Sequence, residues 1–170
     1  MEKKYTEAFV LRTPDCDMCG QWRPSAILES MQETAGAHSA LCNLDRDSML
    51  SLGVVWVLSR LKVEMLRMPH VGEKITVETY PTPAKHLFFP RSHIFYDADG
   101  EKIGCANSLW VLMDINTRAL TVRGEIAENF RITVIFRRLP ACLPAYVRCR
   151  QKHTMAKSLR NLQNWTSMVM

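Results

Sequence analysis

A chain of 170 residues supports one ordinary domain, long enough to bury roughly two-thirds of its unfolded surface. Its apolar share of 47% and charged share of 23% are those of a globular protein, and its longest wholly apolar run, Val54–Leu58, is far too short to cross a bilayer, so no membrane role is expected. The net charge of +5 is unevenly spread: residues 1–130 carry 14 Lys and Arg against 17 Asp and Glu, whereas residues 131–170 carry 8 basic residues and no acidic one. Met1 to Leu11 lacks an apolar stretch of signal-peptide length, which gives the expectation of a cytoplasmic protein with reduced cysteines. Cys16-x-x-Cys19 has no second pair at zinc-site spacing and no βαβ frame around it, so neither a metal nor a cofactor is expected.

In chain order, Glu7–Leu11 reads as a first strand, closed by Thr13-Pro14-Asp15, because the residue before a proline is held extended and Asp favours turns. An acidic turn, Asp15-Cys16-Asp17-Met18-Cys19-Gly20-Gln21, leads into a helix opened by Pro24, whose missing N–H costs nothing in the first turn. Ile27, Met31, Thr34, Ala35, His38, Leu41 and Cys42 fall on one helical face and Glu29 and Glu33 on the other, with the helix ending near Asn43. Strands are predicted at Arg60–Met65, with Leu61, Val63 and Met65 inward, at Lys74–Thr79, at Phe88–Tyr96, at Lys102–Met113 and at Ala119–Val122. Turns fall at Met68–Glu73, at the Asp97–Gly100 hairpin and at Asn116–Arg118. One long helix followed by antiparallel strands makes an α+β domain over residues 1–130. The basic segment 131–170, with Pro140, Pro144 and a methionine-rich end, reads as a loosely ordered tail, and its charge alone points only weakly to nucleic acid.

Several ordered stretches carry a resemblance. They are Pro24-Ser25-Ala26-Ile27-Leu28 with Met31 to His38, Trp56-Val57-Leu58-Ser59-Arg60-Leu61-Lys62-Val63-Glu64, Pro69 with Gly72-Glu73, Val77-Glu78-Thr79, and Ala106 to Asp114 with Thr117-Arg118. Together they resemble the first half of acyl-ACP thioesterases, over residues 1 to about 130. The resemblance implies a single hot-dog domain, a long helix wrapped by a curved antiparallel sheet. It implies hydrolysis of acyl-carrier-protein thioesters in fatty acid synthesis. Family members carry two such domains, with the acyl chain held largely in the first and an Asp-x-Asn-x-His turn in the second. The expectation is therefore a truncated relative lacking that second domain, with acyl carrier protein or acyl-CoA thioesters as partners and a homodimer covering the exposed sheet. The alternative is a non-catalytic acyl-binding protein or remnant.

Laying the family's catalytic turn on this one places Asp17 on its Asp, Cys19 on its Asn and Gln21 on its His. Thioester hydrolysis needs a group that activates water and one that polarises the carbonyl. Asp17 reads either as that base or as a residue that stabilises the turn. Backbone N–H groups from Gly20 to the start of the helix are the candidates to polarise the carbonyl. Gln32 flanks the inward stripe, His38 lies on it as a core or catalytic histidine, and Trp56 reads as a core aromatic or the wall of an acyl tunnel.

Overall fold

The computed structural model describes residues 4–122 together with residues 124 and 126, so the predicted tail lies outside the described residues. Among the described residues six strands form one antiparallel sheet: β1 (Tyr5–Val10), β2 (Val54–Met65), β3 (Lys74–Pro81), β4 (Phe89–Tyr96), β5 (Lys102–Asp114) and β6 (Leu120–Thr121). The strand order is β1-β3-β4-β5-β2, and β6 pairs with the end of β5. Helix α1 (Pro24–Leu41) packs on this sheet, and a short helix α2 (Arg46–Ser51) follows it. None of the described helices is long and apolar enough to cross a membrane.

Pro24 stands in the first turn of α1, and the helix buries Ala26, Ile27, Met31, Thr34, Ala35 and His38. That is the predicted stripe, except at its end. Leu41 was expected inward but is 57% exposed, because the helix ends there and the chain turns away through Asn43 at φ 54°. Two elements depart from expectation. Helix α2 spans six residues, too few for a periodicity to register; its start is capped by Asp45, whose side chain accepts from the Ser48 N–H at 3.1 Å. Strand β2 begins at Val54 rather than Arg60. A register shift between Leu58 and Arg60 breaks its alternation, and periodicity alone does not separate a short apolar run from buried helix.

The core falls into two clusters. Leu11, Trp22, Ile27, Met31, Val77 and Phe95 form part of one, beneath the first half of α1. Leu44, Met49, Val54, Phe89, Leu112 and Ile126 form the other, beside α2. Strand β4 alternates buried and half-buried along its length, so Phe89, Arg91, His93 and Phe95 all point inward. A polar layer of Arg91 and His93 thus separates the two apolar clusters. At Gly104, paired with Met65 across β2 and β5, an added Cβ would stand 2.9 Å from the Glu64 carbonyl oxygen, so the two strands need a glycine there.

Candidate functional site

The polar layer opens on a cavity of about 360 Å³ between the second half of α1, α2 and strands β2, β4 and β5. Its walls include Ala35, Met49, Trp56, Phe89 and Trp110, and its polar wall groups include Gln32, Ser39 and Arg91. Trp56 is fixed on two sides: its indole N–H donates to the Leu44 carbonyl at 3.3 Å, and its ring meets Phe89 edge-on at 5.1 Å. A second cavity of about 70 Å³ shares Gln32 and Trp110 and carries the lining along α1 to Leu28, past His93 and Ser108. An apolar space with few polar groups suits a lipid chain. A larger groove of about 680 Å³ lies between β1 and α1. Glu7, Arg12, Asp15, Glu29 and Glu33 line it, and such a charged wall suits an alkyl chain poorly.

The buried polar groups form a connected set. Arg91 Nη1 donates to His38 Nδ1 at 3.0 Å and to Thr79 Oγ1 at 3.2 Å, and Nη2 reaches Ser39 Oγ at 3.5 Å. A guanidinium only donates, so His38 Nδ1 accepts and the proton of its neutral ring sits on Nε2. Burial pulls Arg91 down to about 10. His93, 2% exposed, is pushed down to about 3, first by burial and then by the neighbouring Arg91. Neither of its ring nitrogens meets a partner in good hydrogen-bond geometry, although the Met31 backbone offsets a little of that shift. Ser108 Oγ accepts from the Trp110 indole N–H at 3.0 Å and donates to the Arg91 carbonyl.

The predicted acidic turn stands elsewhere, at the N-terminal end of α1. Asp17 is exposed, and its Oδ1 accepts from the Cys19 N–H at 2.8 Å and the Gln21 N–H at 3.0 Å. Gly20 takes φ +73°, a conformation that favours glycine, and its carbonyl accepts from Val71 N–H. Trp22 ties the turn down, donating its N–H to the Pro69 carbonyl and burying its ring against Phe9 and Phe95. No side chain among the described residues caps α1, and Pro24 has no N–H, so Ser25 and Ala26 present amide protons at the positive end of the helix, beside the turn. Gln32 is about 12 Å further along the axis at 1.5 Å per residue.

Of the five residues singled out from sequence, Gln32 and Trp56 therefore line the cavity and His38 backs it through Arg91. Asp17 and Gly20 share a turn outside its lining. Arg91 and His93 were missed. The signal was available: with Phe89 and Phe95 inward, a period of two forces positions 91 and 93 inward as well. Among the described residues no three His, Cys, Asp or Glu side chains converge to hold a metal. Cys16 and Cys19 are free thiols.

Residues 2–130 match the model of the acyl-ACP thioesterase N-terminal domain. The chain is 28% identical over 136 residues to an oleoyl-acyl carrier protein thioesterase, chloroplastic, of Coriandrum sativum, covering 75% of this chain and 37% of that protein. The chain thus spans less than two-fifths of that relative's length. The structure of an acyl-ACP thioesterase from Bacteroides thetaiotaomicron superposes with a TM-score of 0.69 at 31% identity, over 72% of this chain and 50% of that one. The fold is shared more widely: a DHNA-CoA thioesterase from Staphylococcus aureus superposes with a TM-score of 0.68 at 12% identity, over 76% of this chain and 87% of that one.

Proposed function

The chain belongs to the acyl-ACP thioesterase family, through that family's N-terminal domain, and from this premise we propose that it acts in the hydrolysis of fatty acyl thioesters, seating the acyl chain in the cavity beside Gln32, Trp56 and Phe89. The observation that carries the reading is the apolar lining of that cavity on the inner face of the sheet, continued along α1 towards Leu28. The thioester then lies towards the N-terminal end of α1. There the Ser25 and Ala26 amides polarise the carbonyl, and the second carboxylate oxygen of Asp17, not engaged by the turn, accepts a proton from the attacking water. Acyl carrier protein or CoA is the carrier.

A second copy completes the arrangement. Strand β2 pairs with β5 on one side only among the described strands and is twelve residues long, an edge that calls for a partner. Two copies per particle are the expected result of light scattering.

A second reading, acyl binding without turnover, is favoured by the position of Asp17 outside the cavity lining and by the absence of histidine from its turn. One experiment separates the two. Palmitoyl-ACP and palmitoyl-CoA are offered to the purified chain and to Asp17→Asn, which keeps the Oδ1 acceptor of the turn and removes only the charge. Hydrolysis by the native chain, slowed ~10²-fold or more in the variant, is expected. Equal rates would remove Asp17 from the reaction, and retention of the acyl chain with no turnover would leave binding as the function.

A further inference from the structure

Arg91 is the wall group the reading above does not use. It is 8% exposed, it borders a cavity whose other charged wall groups are Asp45 and Arg46, and its hydrogen-bond partners, His38, Thr79 and Ser39, are all neutral. Of the five N–H donors of a guanidinium, these contacts engage three. Asp45 faces the same cavity, but its carboxylate caps α2 through the Ser48 N–H at 3.1 Å. Among the described residues no carboxylate acts on Arg91: burial lowers its pKa, and the group that offsets this in part is the thiol of Cys42. A buried cation without a counter-charge is costly, and one facing a ligand cavity is answered most directly by an anion on the ligand.

We propose that Arg91 is the carboxylate site for a free long-chain fatty acid, bound with its tail among Trp56, Phe89 and Met49. The inference rests on the acyl cavity above and extends it to a second ligand, bound by its head rather than its tail. The two remaining guanidinium donors face the carboxylate, and His38 and Thr79 hold the planar group by its other edge. A fatty acid held this way fills the acyl cavity and excludes the thioester, so the free acid inhibits competitively.

Isothermal titration with palmitate and with 1-hexadecanol, its uncharged counterpart, tests this on the native chain without any substitution. Palmitate is expected to bind at least ~10-fold more tightly, about what one charge-assisted hydrogen bond contributes. That advantage is expected to vanish in Arg91→Met and to persist in part in Arg91→Lys. Equal binding of acid and alcohol by the native chain overturns the carboxylate site while leaving the acyl cavity standing, and so does an undiminished preference in a folded Arg91→Met. If neither compound binds, the cavity reading itself fails and takes this one with it.

Discussion

Gly36→Phe is expected to weaken binding of a hydrolysis-resistant palmitoyl thioester analogue by ~10²-fold or more while leaving the melting temperature unchanged or slightly raised. Gly36 lines the cavity from α1, and a Cβ placed there meets no atom within 4 Å, so a phenyl ring enters open space rather than backbone. The helix itself gains, since glycine inside a helix costs about 0.5–1 kcal/mol relative to alanine. What is lost is room. Displacing about four methylenes of the acyl chain, at about 0.8 kcal/mol each, removes ~3 kcal/mol of binding, or ~10²-fold. Calorimetric titration of native and variant chains, with thermal melts alongside, gives both quantities. Unchanged affinity would place the acyl chain elsewhere.

The second large effect is on stability in mild acid. The His93 ring sits at about 3 in the folded chain, below its ordinary 6.5. A depressed folded value means that the unfolded chain takes up the proton first as the pH falls. The neutral ring therefore carries no penalty above pH 6.5. Below it, stability is lost by about 1.4 kcal/mol per pH unit until about pH 3. Between pH 7 and 4.5 the expected loss is about 2–3 kcal/mol. The carboxylates Asp45 and Asp97 are held below their ordinary values, so their contributions fade only at lower pH, as they protonate. Urea midpoints measured from pH 7 to 4.5 give the slope. His93→Leu should flatten it with little cost at pH 7, because neither ring nitrogen has a well-formed hydrogen bond to lose. An unchanged slope would show that His93 is already protonated or solvated when folded.

The elements were legible where local pattern and tertiary fate agree. The α1 stripe from Ile27 to His38, the strands Lys74–Thr79 and Phe88–Tyr96 and the turn at Asp97–Gly100 all stand within a residue or two of expectation. Pattern failed where it is short or interrupted. Helix α2 is under two turns, and the register shift after Leu58 hides the first half of β2. The candidate site was legible only on the helix. Gln32 and His38 followed from the α1 stripe, and Trp56 from the resemblance. Arg91 and His93 are charged or titratable side chains on a strand, and composition alone assigns such groups to solvent. Only the apolar Phe89 and Phe95 on either side turn them inward. The distance between Asp17 and the cavity was not legible at all, because it depends on how the loop before α1 is pinned to Pro69 and Val71.

A crystal structure of the chain with the hydrolysis-resistant palmitoyl thioester analogue is the most direct test of where the lipid goes. Electron density for the alkyl chain is expected between α1 and strands β4 and β5, against Trp56, Phe89 and Trp110. Density in the charged groove between β1 and α1, with the cavity filled only by solvent, would contradict it.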